Sequence, residues 1–441
     1  MSRRNLSSTA AVAVLSIIFF TWGALTCLND VLIPHLKAVF EMNYARTMLI
    51  QLTFFGTYFL MSIPSGRVVA HVGYKPSIVI GLVVAGCGAL AFYPAASVPS
   101  YLLFLLALFV LASGITLLQV AANPYISLLG DPQGASARLT LAQALNSLGT
   151  TLAPALIGPV ILAVAVLGKS EVASLPAAQQ EAYRIAQAHS VQQPYLAIAV
   201  ALFVLASFVY LLRLPPLTEA TEHADPRHHT FAEVLRHRHV RLGVLAIFVY
   251  VGAEVAIGSF LINYITNPRI GNIDPGNATR YVAYYWGGAM IGRFVGSALL
   301  YRIDPRRLLG LFAAAAMALL ITSIASTGTV AMWSVIGIGL FNSIMFPTLF
   351  TLGIEGLGPM TSKASSLLVM AIVGGAVVPL LQGVIADSVS LQLAGRLGKL
   401  AADSVGVQAA FVLPVLCYTY IAWYALRGSR QRVLAGNAAT A

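Results

Sequence analysis

Asp30 and Glu254 are the two of fifteen acidic residues that fall well inside otherwise apolar stretches of this sequence. A charged side chain at the middle of a bilayer costs at least about 2.5–3.5 kcal/mol, so each needs a use. Withdrawal from water favours the neutral form of a carboxyl, which lets such a group take up and release a proton as its surroundings open and close. The competing use is a buried ion pair, and Arg293, also inside an apolar stretch, is a partner for it. Eight amides lie in similar surroundings: Asn29, Gln51, Gln119, Asn123, Gln143, Asn146, Asn263 and Asn342. An amide supplies donors and an acceptor, which suits the hydroxyls of an uncharged sugar, although any single one is as well suited to bridging two helices. Trp22 and Trp286 add flat apolar faces on which a pyranose ring can stack. No matching set of basic residues accompanies them, which argues against a phosphate or organic-anion substrate.

The elements that carry these groups follow from composition. Of 441 residues, 58% are apolar and 9% charged. Soluble domains carry about a quarter charged residues, so a soluble multidomain enzyme is excluded, and so are a disordered chain and a disulfide scaffold. Apolar runs fall near 12–35, 47–70, 77–96, 101–128, 139–167, 195–214, 242–266, 280–301, 308–326, 329–352, 364–386 and 406–426. They are continuous rather than alternating and about 20 residues long, which predicts twelve transmembrane helices, not a barrel. The first run follows Arg3 and Arg4 but is too long for a leader's apolar core, so it is expected to be the first span.

The net charge of +11 is scattered through short connections and forms no clustered basic face, so no nucleic-acid partner is expected. Seventeen of the 26 cations fall on the side of the termini and eight on the other, which predicts both termini in the cytoplasm. Cys27, Cys87 and Cys417 stand alone in apolar runs and read as small core residues. The polar stretch from Pro215 to Arg241 carries His223, His228, His229, His237 and His239, without the Cys or carboxylate spacing of a metal site. It divides the chain into an N-terminal six-helix half (1–214), a cytoplasmic linker (215–241) and a C-terminal six-helix half (242–441).

An internal repeat supports that division. Arg138, Gly149, Pro154 and Gly158 recur as Lys363, Gly374, Pro379 and Gly383, each 225 residues later. Pro124 and Gly130 of the fourth span recur as Pro347 and Gly353 of the tenth, 223 residues later. Gly66 and Lys75 are echoed by Gly296 and Arg306. Two similarly oriented six-helix halves form the parallel repeat of major facilitator transporters, which bind substrate near the bilayer midplane between the halves.

Several runs also resemble a known family. Phe19-Phe20-Thr21-Trp22-Gly23 leading to Leu28-Asn29-Asp30, Ala121-Ala122-Asn123-Pro124, Leu141-Ala142-Gln143 with Asn146-Ser147, and Gly292-Arg293-Phe294 are similar to the fucose–proton symporter family of the major facilitator superfamily. The resemblance covers essentially all twelve spans. It implies sugar import driven by a cation gradient, usually protons, with Asp30 at the family's essential acid position. Gln119 stands where the fucose-transporting members have a glutamate, and Glu254 where they have a neutral residue. Glu254 within Tyr250–Glu254, together with the run Phe341–Pro347, looks like the glucose/galactose branch. In the loop after the second span Gly66 and Lys75 remain, but Ala70 replaces the usual acid. These departures leave the hexose open among glucose, galactose, mannose and N-acetylglucosamine, and leave sodium as an alternative coupling ion.

The expected protein is an all-α hexose symporter of the cytoplasmic membrane, monomeric and without cofactor, with Asp30 and Glu254 as proton-coupling candidates. Glu254 also joins the two tryptophans and eight amides as a candidate sugar ligand. The competing readings are a sugar or drug exporter working as a proton antiporter, a sodium-coupled symporter, and a sensor. An exporter would favour a wider, more apolar cavity, and a sensor would need a signalling domain that neither the linker nor the tail beyond Arg432 is long enough to hold. No nucleophile–base set, nucleotide loop or metal motif points to an enzyme.

Overall fold

A computed structural model describes residues 7–39, 44–97, 100–156, 169–189, 192–215, 217 and 229–430. Contacts divide the chain into two compact units, Met1–Ala224 and Asp225–Ala441. All regular structure among the described residues is helical.

The first unit contains α1 (Ser8–Val39), α2 (Tyr44–Val72), α3 (Tyr74–Ser97), α4 (Tyr101–Leu128), α5 (Ala135–Leu156), α6 (Lys169–Ser174), α7 (Ala177–His189) and α8 (Gln192–Leu211). The second contains α9 (Phe231–Arg236), α10 (Arg238–Ile265), α11 (Pro275–Leu300), α12 (Pro305–Ala325), α13 (Gly328–Asn342), α14 (Met345–Ile354), α15 (Thr361–Met370), α16 (Gly374–Leu397), α17 (Lys399–Ala410) and α18 (Val412–Trp423). Every apolar run of the sequence coincides with helix, although residues 157–168, the end of the fifth run, lie outside the described residues. Nine helical stretches among the described residues are long and apolar enough to cross a membrane.

The repeat is visible in the packing of each unit. In the first, α1 packs on α5, α2 on α4, and α3 on both α4 and α8. In the second, α10 packs on α16, α11 on α13, and α12 on both α13 and α18. These are the same pairings of spans. The shared register of Gly149 and Gly374 now has a physical reason. A Cβ on Gly149 would lie 2.1 Å from the carbonyl oxygen of Phe20, and one on Gly374 would lie 2.0 Å from that of Phe248. Helices that cross backbone to backbone leave no room for a side chain at the crossing. The repeated cations behave differently. Arg138 donates to the carbonyls of Ser127 and Asp131, both at 2.7 Å, and of Ile126 at 3.3 Å, closing the C-terminal end of α4. Lys363 is buried and bonds the carbonyl of His229.

Three features depart from a reading by apolar runs. Residues 169–189 form α6 and α7, because the Ala/Gln/Glu-rich stretch Ala177–His189 favours helix without being apolar. The tenth, eleventh and twelfth runs are each divided, at Asn342–Met345, Met370–Gly374 and Ala410–Val412. The eleventh also continues to Leu397, well past the apolar run. α12 starts on Asp304, whose side chain accepts from the amide of Arg307 at 3.1 Å, followed by Pro305 at the first helical position.

Candidate functional site

In the first unit, Trp22 is buried on α1, its ring stacked on Phe19 with centroids 4.3 Å apart. The backbone of Asn29 and Asp30 lies in α1, and their side chains lie outside the described residues. Gln119 of α4 is buried, and its Nε2 donates to the hydroxyl of Tyr58 on α2 at 2.8 Å. One helical turn on, Asn123 is fully buried, and neither its amide nitrogen nor its amide oxygen has a hydrogen-bond partner among the described residues. A buried amide left unpaired costs about 1–3 kcal/mol, which sets Asn123 apart from the paired Gln119. Gln143 of α5 is buried as well. Asn146 Nδ2 donates to the carbonyl of Phe19 at 2.9 Å, so that part of its side chain joins α5 to α1. Gln51 is half-buried on α2.

In the second unit the polar groups form one network. Nη2 of Arg293 on α11 lies 3.7 Å from Oε1 of Glu254 on α10, the ion pair that the sequence raised as the competing use of Glu254. Asn342, at the end of α13, is fully buried; its Nδ2 donates to the hydroxyl of Tyr285 at 2.9 Å and its Oδ1 accepts from Tyr418 at 2.6 Å. The hydroxyl of Tyr250 donates to the Asn342 carbonyl at 3.0 Å, and that of Tyr285 to the Glu254 carbonyl at 3.3 Å. Beyond that ion pair, Oε1 of Glu254 makes no hydrogen bond among the described residues. Trp286 flanks this network, its ring edge-on to Tyr285 with centroids 5.1 Å apart, and is 38% exposed. Asn263, further along α10, is exposed and stands apart from it.

The sequence therefore pointed to Glu254 and Asn342 but not to what surrounds them. Tyr250, Tyr285 and Tyr418 were not singled out as site residues, nor was Tyr58 beside Gln119. The available signal was Tyr250, four residues before Glu254 and so on the same helical face. Among the described residues no cluster of three or more His, Cys, Asp or Glu could hold a metal ion. The first unit holds buried amides at Gln119, Asn123 and Gln143, and the second holds a largely buried carboxylate paired with a guanidinium.

Residues 14–379 match the Major Facilitator Superfamily. The chain belongs to that family. The superfamily is one of membrane transporters, not enzymes, and the duplicated packing is its architecture. This transporter is 48% identical over 421 residues to the glucose/galactose transporter of Brucella abortus, covering 96% of this chain and 94% of that one. It is 34% identical over 418 residues to the L-fucose-proton symporter of Escherichia coli K12, covering 93% and 91%. A crystal structure of the E. coli fucose:proton symporter superposes with a TM-score of 0.86 at 33% identity, covering 97% of this chain and all of that one.

Proposed function

We propose that this major facilitator protein imports a hexose of the glucose/galactose type across the cytoplasmic membrane by proton symport. The observation that carries the reading is the 48% identity, over nearly the full length of both chains, to a glucose/galactose transporter. The polar interior supports it, because buried amides and a carboxylate oxygen match the hydroxyls of a neutral sugar, and the guanidinium of Arg293 is already paired with Glu254.

In this reading the chain acts as a monomer, with halves at 1–214 and 242–441 joined by a cytoplasmic linker and with both termini in the cytoplasm. Asp30 carries the coupling proton. Gln119, Asn123 and Gln143 bind the sugar from the first half, with Asn29, Gln51 and Trp22 beside them. From the second half Glu254 supplies the strong acceptor and Trp286 an apolar face. Asn342 acts by setting Tyr285 and Tyr418, which its amide engages. Protons rather than sodium drive accumulation, and no cofactor takes part. Competition by glucose, galactose, mannose and N-acetylglucosamine against labelled glucose, with and without a protonophore, tests the reading. Glucose and galactose should compete best and the protonophore should abolish accumulation; uptake indifferent to all four sugars would overturn it.

A further inference from the structure

The division of the tenth span leaves a carbonyl in need of a partner. Pro347 lies in the first turn of α14 and has no N–H, so the carbonyl of Ser343, four residues earlier, receives no helical hydrogen bond from it. Helical bonding resumes at the next residue, where the amide of Thr348 donates to the carbonyl of Ile344 at 3.1 Å. Ser343 is fully buried, so bulk solvent does not reach its carbonyl. Nε of Arg293 supplies a donor, at 3.3 Å from the Ser343 carbonyl. The same guanidinium faces Glu254 through Nη2, and the two side chains are 12% and 13% exposed. One planar fork therefore spans a carboxylate on α10 and the break between α13 and α14.

We infer that Arg293 is a positioning residue of the transport cycle, tying the Glu254 carboxylate to the Ser343 carbonyl so that a sugar hydroxyl engaging Glu254 is felt at the break in the tenth span. The inference rests on reading Glu254 as a sugar ligand. A guanidinium holds several donors in fixed relation and serves both partners at once; an ammonium keeps the charge but not the fork. The far end of α14 has its own tie, because Glu355, which follows it, pairs with Arg306 at the start of α12.

The test uses the full-length chain, purified and reconstituted, as Arg293→Lys, Pro347→Ala and the double variant. Replacing Pro347 by alanine restores the amide that the Ser343 carbonyl lacks, so Arg293 is no longer needed there. Arg293→Lys should bind labelled glucose or galactose within about threefold of the parent, while counterflow slows by about tenfold, the rate equivalent of one buried hydrogen bond. In the Pro347→Ala background the same substitution should slow counterflow no further. Melting in detergent gives a readout that needs no substrate: Arg293→Lys should lower the midpoint by about 2 °C with Pro347 present and leave it unchanged in the Pro347→Ala background. A parent that transports no hexose would remove the functional reading, and the melting cycle would still decide the tie. Equal melting losses in both backgrounds, parental counterflow in Arg293→Lys, or a loss of sugar binding as large as the loss of counterflow would each overturn the inference.

Discussion

Replacing Asp30 by asparagine preserves the shape of the protonated acid but removes the carboxyl proposed to carry the coupling proton. That variant should lose uphill accumulation while keeping sugar exchange, and full gradient-driven uptake by it would remove Asp30 from the proton path. Gln119 is a different case, because its amide is already engaged by Tyr58. Gln119→Ala should weaken sugar binding by about 1–3 kcal/mol through a hydroxyl left unpaired, with the pH profile of transport intact. Normal binding with a lost pH dependence would reverse the roles of Gln119 and Asp30. Glu254→Gln should weaken sugar affinity several-fold and still accumulate sugar, because a carboxylate is a stronger acceptor than an amide. Parental affinity without accumulation would move Glu254 to the proton path. At this scale the sequence exposes the charged groups readily, since each is costly in an apolar run. It does not expose the tyrosines, which are ordinary in such runs and gain meaning only when Asn342 and Glu254 lie against them.

The spans are legible in the chain because a bilayer demands about 20 apolar residues for each crossing, and every apolar run coincides with helix among the described residues. Their breaks are not. Pro64, Pro94, Pro124 and Pro379 all sit inside unbroken helices, while Pro347 follows a break. Whether a proline divides a helix depends on what answers the carbonyl it frees, and at Pro347 that answer comes from another helix. The glycine repeat was visible as a pattern, but the carbonyls that enforce it, those of Phe20 and Phe248, were not. Gly149→Ala and Gly374→Ala should each destabilise the protein by about 1–3 kcal/mol and slow transport, whereas alanine at Gly287, where a Cβ meets nothing, should do neither. Melting of the three variants in detergent checks this, and equal behaviour would show that the crossings tolerate a side chain. At the start of α9, Thr230 and Glu233 form a capping box. The Thr230 backbone amide, and then His229, hold the Glu233 carboxyl below the ordinary carboxylate range. The cap is therefore present above that range and is lost as pH falls through the lowered value.

For the whole molecule the central claim is that a proton gradient drives a hexose inward. The duplicated packing gives two similar units, the superfamily match makes the chain a transporter, and the 48% identity to a glucose/galactose transporter points to the sugar. Among the described residues the two units differ in their buried polar groups: amides stand out in the first, and a carboxylate–arginine pair with three tyrosines in the second. The most direct measurement is uptake of labelled glucose and galactose into sealed vesicles containing the purified protein, with an imposed inward proton gradient and no sodium. Sugar should accumulate above the external concentration, external pH should rise as it enters, and a protonophore should collapse both. Uptake that stops at equilibrium, or that accumulates only when sodium is added and leaves external pH unchanged, would contradict the claim.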